Sequence, residues 1–224
     1  SIACGFHAGD PLVMRRTLRA ALAAGVSVGA HPSFPDLQGF GRRPMQIPPA
    51  ELEAMLIYQI AALAGLAQAE GGRLTHVKPH GALNNMACED ARLANTVAAA
   101  VRSYDPALIL LAPALSQLLL AGETAGLRVV SEVFADRTYT ETGSLTPRRQ
   151  PGSILHSADE CVRHVLRMVA EGGIVSSSGR VIPAVFHSIC VHGDSPAAVV
   201  AATAIRDALL AAGCRLVSLP ELVA

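Results

Sequence analysis

The chain of 224 residues has no tryptophan and only three tyrosines and five phenylalanines. Nucleic-acid surfaces interleave aromatics with a basic stripe, and both are missing: 18 acidic residues balance 18 basic ones. Nucleic acid and anionic membranes are therefore poor partners. Charged residues are scarce at 16% against 51% hydrophobic, which excludes a disordered chain and supplies one sizeable core. The longest apolar stretch, 107–122, is broken by Pro113, Ser116 and Gln117 and falls short of the roughly 20 residues of a membrane span. No charged-then-apolar leader opens the chain. Five scattered cysteines without a C-x-x-C pair fit reduced thiols in a cytoplasmic protein better than a disulfide frame or a zinc site. There is no GK[ST] for a P-loop, and no G-x-G-x-x-G follows the first strand.

The scarcest residue of all is lysine. Lys78, in the stretch HVKPHGALNN, is the only one, and every other basic residue is arginine. Arginine stays protonated, whereas a buried lysine serves as acid, base or point charge. A stray surface lysine is the ordinary explanation, and the context has to displace it.

Short apolar runs alternate with helical patterns. Strands are expected at 2–6, 26–30, 74–78, 107–112, 127–134, 184–191 and 215–219. Helices are expected at 11–24, 49–69, 87–102, 114–121, 157–171 and 195–212, with Asp10-Pro11 and Pro49 as starts and Gly25 and Gly213 as stops. Repeated βα units imply parallel strands, in a single domain over 1–224 that is either a TIM-like barrel or a doubly wound open sheet. The chain begins SIACGF without methionine and inside a predicted strand, so natural sequence is expected in front of it.

In such folds chemistry gathers at the C-terminal ends of the strands. Here those ends carry His7 and Asp10, then His31 and Asp36, Lys78 and His80, Glu132, Asp136 and Arg137, and finally His192 and Asp194. One such histidine is ordinary; agreement at five strand ends points to a polar pocket. Strand alternation puts the apolar Val77 towards the helices and turns Lys78 inward, where an unpaired charge costs several kcal/mol. His76 and His80 have H-x-x-x-H spacing, but Pro79 disfavours a helix there, and four strand residues separate them by roughly 13 Å, too far for one ion. His187 reads as structural, and His156 and His164 as surface residues. The loops at 31–49 and 135–153 stand out: the first is rich in proline and glycine and carries Arg42 and Arg43, and the second is long and polar with the look of a lid. Their arginines could grip a carboxylate or phosphate, with solvated loop charge an equal explanation for Arg43, Arg148 and Arg149.

The segments IACGFHAGDP, GAHPSFPDLQGFGRR, VKPHGAL, EVFADRTY and ICVHGD, in this order, resemble the LamB/YcsF family across essentially the whole chain. The resemblance implies a seven-stranded TIM-like β/α barrel, akin to the glycoside hydrolase/deacetylase superfamily. It also implies ATP-dependent hydrolysis of 5-oxo-L-proline to L-glutamate, with ATP and magnesium as cofactors, no tightly bound metal, and B and C subunits as partners. Whether the chain also self-associates stays open. Carried over by position, Lys78, His80, Asp10, Glu132 and Asp136 are the catalytic candidates; His7, His31, Arg42, Arg137, His192 and Asp194 are the substrate-binding ones. In this scheme Lys78 and Arg137 neutralise phosphate or oxyanion charge, and His80 or Asp136 takes a proton. Two departures stand out. Asn84 occupies a place where the family usually has tyrosine, and the family's opening acidic strand, D-L-N-x-D-x-G-E, is absent, leaving a barrel short of its first strand. The competing possibility is a metal-dependent deacetylase or amidohydrolase, with His7, His31, His80 and His192 around a divalent ion.

Overall fold

The structure, a computed structural model, describes residues 1–193 and 198–223. Strands and helices alternate through its first half: β1 (Ile2–Ala3), α1 (Pro11–Ala23), β2 (Gly29–His31), α2 (Pro49–Ala69) and β3 (His76–Val77). Two helices follow, α3 (Gly81–Glu89) and α4 (Ala91–Tyr104), and then β4 (Ile109–Pro113), α5 (Gln117–Thr124) and β5 (Arg128–Phe134). The remainder is α6 (Ala158–Glu171), β6 (Gly173–Val175), β7 (Val181–Pro183), β8 (Ser188–Cys190), α7 (Ala198–Ala211) and α8 (Leu219–Leu222).

The fold is α/β. One sheet has the order β1-β2-β3-β4-β5-β8, parallel from β1 to β4 and between β5 and β8, and β6 and β7 form a separate antiparallel pair. The described strands of the main sheet therefore number six. The seventh expected strand, 215–219, is not one: residues 214–218 are irregular and Leu219 opens α8. The Ser218 hydroxyl accepts from Glu221 N and Pro220 occupies the first turn, so a helix start overrides the apolar alternation. The hairpin of β6 and β7 and the separate helix α3 escaped the sequence pattern. The chain divides into two compact units, Ser1–Val130 with Ser218–Ala224, and Ser131–Val217.

In the first unit the helices bury narrow stripes. Asp10 caps α1 by accepting from Leu12 N and Val13 N at 2.9 Å, Pro11 fills the first turn, and Met14 and Leu18 face inward. On α2 the buried residues are Leu52, Leu56, Gln59, Ile60, Leu63 and Ala67, one face of a helix. Its neighbour α4 answers with Ala94, Val97, Ala98 and Val101, small side chains that let the helices come close. All five residues of β4 are buried because both of its faces are covered. Leu110 and Ala112 join the large helix-side core, whereas Ile109 and Leu111 pack with Val130 against Leu219 and Val223 at the C-terminal end. The register pairs Ala3 with His31, Ala30 with Val77, and Val77 with Leu110, so β1, β2 and β3 end level with one another.

In the second unit β5 and β8 pair Glu132 with Ser188 and Phe134 with Cys190. A capping box between Ser157 and Glu160 starts α6, which buries Cys161, Val165 and Met168. The long segment expected as a lid is tied down by bridges from Arg137 to Ile154 and from Tyr139 to Leu145.

Replacing the fully buried Leu110 with alanine removes contacts that no side chain can refill. The Leu110→Ala protein is expected to lose about 2–5 kcal/mol, read as a lower urea midpoint at unchanged slope.

Candidate active site

Because β1, β2 and β3 end level, the residues leaving them collect at one height. His7 lies in the turn after β1, His31 is the last residue of β2, Lys78 follows β3 directly, and His80 precedes α3. His7, Lys78 and His80 are all buried. The chain stays paired beyond the strands: Lys78 N donates to Ala30 O at 2.9 Å and His80 N to Pro32 O at 2.8 Å.

The ring nitrogens fix the protons. His31 Nδ1 lies 2.5 Å from Lys78 O, and His80 Nε2 lies 2.8 Å from Phe40 O. Carbonyl oxygens only accept, so both nitrogens carry hydrogen. Between the rings, His31 Nε2 and His80 Nδ1 approach to 3.0 Å, which takes one more. Three protons on two imidazoles give the pair a net positive charge. Burial, then the Lys78 and His80 charges, hold His31 well below the usual histidine range, so it is the neutral ring and His80 the imidazolium. With both nitrogens donating, His80 has no lone pair to offer as a base.

His7 has the opposite character. Ser33 Oγ donates to Phe34 O at 2.8 Å, so at 2.9 Å it accepts from His7 Nδ1. Burial, then the charges of His80 and Arg42, push His7 down to about 3, leaving it neutral with its lone pair on Nε2. Its ring lies flat on His80 with centroids 3.8 Å apart, a neutral face against a cation, and Phe40 stands edge-on to both.

The loop after β2 closes over this stack through a glycine pair. Gly41 has φ +64°, and a Cβ there would lie 2.9 Å from His80 Cδ2 and 3.0 Å from His7 Cβ. Gly81, with φ +58°, runs against Gly41 O, which also accepts from Ala82 N at 2.9 Å. Asp36 anchors the loop by accepting from Gly39 N, Arg43 N and the Arg43 guanidinium. That guanidinium holds the Asp36 carboxyl down at about 2, so Arg43 is a brace for the loop. Arg42 lies 5.0 Å over the Phe40 ring. Asn84 is buried, and its Oδ1 has no hydrogen-bond partner among the described residues.

In the second unit, His192 Nδ1 sits 2.7 and 2.9 Å from the two oxygens of Asp136. Phe134 stacks beside the His192 ring at 5.9 Å. Glu132 accepts from Ser188 Oγ at 3.3 Å, across the strand pairing. Buried Arg137 donates to Thr146 O at 2.6 Å and Ser153 O at 3.2 Å, fastening the segment after β5. Asp194 lies outside the described residues. Asp10 is occupied as a helix cap. His187 bonds Ser131, as its structural reading implies. His164, expected at the surface, is pushed down by burial and stacks on Tyr139; the inward face of α6 carries it there. Sequence reasoning passed over Ser33 and Phe40, whose only signal was their place inside the glycine-rich loop.

Both nitrogens of His31 and of His80 are spent on hydrogen bonds, so neither ring has a lone pair left for a metal.

The chain matches the description LamB/YcsF family over residues 1–224. It belongs to that family. Among its relatives, the A subunit of 5-oxoprolinase from Azoarcus sp. (strain BH72) is 65% identical over 222 residues, spanning 99% of this chain and 87% of that one. The corresponding A subunit from Bacillus subtilis (strain 168) is 49% identical over 221 residues, 99% and 86% of the two chains. The crystal structure of the lactam utilization protein from Thermus thermophilus superposes with a TM-score of 0.86 at 45% identity, covering 94% of this chain and 84% of that one. In this LamB/YcsF chain the histidine stack is built from three of the family-like segments, those around His7, His31 and His80.

Two outcomes follow from this packing. The Gly41→Ala protein is expected to lose activity while keeping the stability of its core, because the added methyl drives the loop off the stack. His7 and His76, both held near 3 by burial, stay neutral in the folded chain but bind protons below about 6.5 once unfolded. Stability is therefore expected to fall as pH drops from 7 to 5, by up to about 1.4 kcal/mol per unit for the deeply buried His76, measured by urea titration.

Proposed function

We propose that this chain is the A subunit of an ATP-dependent 5-oxoprolinase, which opens the lactam of 5-oxo-L-proline with water to give L-glutamate. One observation carries the proposal: a chain 65% identical over 99% of this one is named as the A subunit of 5-oxoprolinase, and three of the five segments behind the resemblance are those that β1, β2 and β3 bury together. The lactam is unstrained and stabilised by resonance, so its opening needs activation, supplied by phosphorylation of the amide oxygen at the expense of ATP, whose phosphate charge magnesium would neutralise. The lettered names of the relatives support further subunits, proposed here as B and C. Five free thiols support a reducing, cytoplasmic setting. We take the sheet as part of a seven-stranded β/α barrel, on the strength of its strand order and its solved neighbour.

In the mechanism, buried Lys78 faces the negative charge that develops on the activated carbonyl oxygen or its phosphate. His80 contributes positive charge as an imidazolium where the sequence suggested a base. Arg42 holds the substrate carboxylate, while His7 and His31 set the position and charge of His80. Arg137 acts through the segment it fastens.

With this chain and its B and C partners, ATP-dependent release of glutamate from 5-oxoproline is the expected activity. Lys78→Ala is expected to cut turnover about 100-fold or more, and Lys78→Arg to do nearly as badly, since a planar, delocalised guanidinium does not replace a compact ammonium point charge. Normal turnover in the Lys78→Ala enzyme would sink the role given to the lysine, and turnover by B and C alone would sink the proposal as a whole.

A further inference from the structure

We propose that Asn84 is a specificity-determining residue that recognises the ring N–H of the lactam, an assignment that rests on the 5-oxoprolinase reading and supplies a contact that reading leaves open. Asn84 is 4% exposed, and its Nδ2 donates to Asn85 Oδ1 at 3.5 Å. The amide nitrogen is thereby engaged, whereas Oδ1 is buried with no partner among the described residues. A buried carbonyl without a donor carries an uncompensated desolvation cost, which a hydrogen brought by a ligand would relieve.

The helix aims this oxygen at the site. Asn84 N donates to His80 O at 3.4 Å, so Asn84 sits one turn along α3 from His80. Helical side chains lean towards the N-terminus of their helix, which carries the Asn84 amide back over the start of α3. Arg42 lies at that start as well: a Cβ on Gly81, the first residue of α3, would be 3.6 Å from Arg42 Cγ. Lys78 is on the same segment just before it, its backbone N–H paired to Ala30 O of β2. At the other end of this helix face, Cys88 is hydrogen-bonded to Ser116 beyond β4. Asn84 therefore lies between the exits of β3 and β4, in the same unit as Lys78, His80 and Arg42. Phe40 and Leu115, in the segments that follow β2 and β4 on either side of β3, hold φ at +55° and +63°. Non-glycine residues held in that region cluster at ligand sites.

The chemistry leaves one match on the substrate. Oδ1 only accepts, so its partner must present a hydrogen. Near neutral pH the carboxylate and the carbonyl of 5-oxoproline accept, and the ring N–H is its one donor. With Arg42 on the carboxylate and Lys78 on the carbonyl oxygen, Asn84 gives each polar group of the substrate a side chain of complementary character. No proton is transferred in this contact. Phosphorylation of the amide oxygen draws electrons from the nitrogen and makes its N–H a stronger donor, so the bond tightens as the lactam is activated. A lactone, with a ring oxygen in place of N–H, sets lone pair against lone pair and is rejected.

The test compares two ligands in the assembled enzyme without ATP: 5-oxoproline and its lactone counterpart, 5-oxotetrahydrofuran-2-carboxylate. Isothermal titration of the wild type is expected to give a Kd about 10–100-fold lower for the lactam. In Asn84→Leu, similar in size but unable to accept, the two Kd values are expected to converge, whereas a purely structural change would weaken both alike and keep their ratio. Asn84→Asp retains an acceptor and is expected to retain the preference. Equal binding in the wild type, which no variant's folding can obscure, or an undiminished preference in Asn84→Leu, overturns the assignment and leaves the 5-oxoprolinase reading standing. A wild-type enzyme that fails to open 5-oxoproline overturns that reading, and the assignment falls with it.

Discussion

The contact between His31 and His80 is the constraint from which the rest of the first unit's polar architecture follows. It joins the end of β2 to the residue that starts α3, and each ring reaches outward to a backbone carbonyl, Lys78 O on one side and Phe40 O on the other. Two acceptors at the ends and one bond between the rings demand an extra proton, so the fold installs a buried cation in its construction. A buried charge is costly unless its hydrogens are placed, and here every ring hydrogen of the pair has an acceptor. His7 then has one suitable state: neutral, with its face on the imidazolium.

The parallel register makes the contact possible. Pairing Ala3 with His31 and Ala30 with Val77 brings the exits of three strands to one depth. The core behind them is stiff: β4 is covered on both faces, and α2 and α4 meet over alanines. Rigid strands with chemistry on the segments that leave them is the general arrangement of parallel α/β proteins.

Much of this was legible in the sequence because local signals agreed with the fold. Asp10-Pro11 and Pro49 start helices where they were expected, and the solitary Lys78 is indeed buried. Failures came where a local signal was read at the wrong length or a tertiary contact decided the matter. Pro79 marked a turn, but the helix resumed at once through Gly81, whose positive φ no periodicity reveals. The apolar run 215–219 lost its strand to the serine and proline that begin α8. The tie between Arg43 and Asp36 is a loop brace, yet a sequence shows the two only as ordinary opposite charges. Which histidine holds the proton was beyond any sequence reading, since it depends on carbonyls contributed from Phe40 and Lys78.

The closure of Gly41 against Gly81 has a consequence for motion. Gly41 N is bonded to Asp36 O, Gly41 O accepts from Ala82 N, and Phe40 O holds the His80 ring. The loop therefore cannot lift residue by residue: releasing Phe40 strips the imidazolium of an acceptor, and releasing Gly41 exposes the first turn of α3. Opening is an all-or-none event within a globally folded chain, so the amides of Gly41 and Ala82 would exchange their hydrogens with solvent through one shared opening, with the same free energy, while those of α4 wait for a larger unfolding.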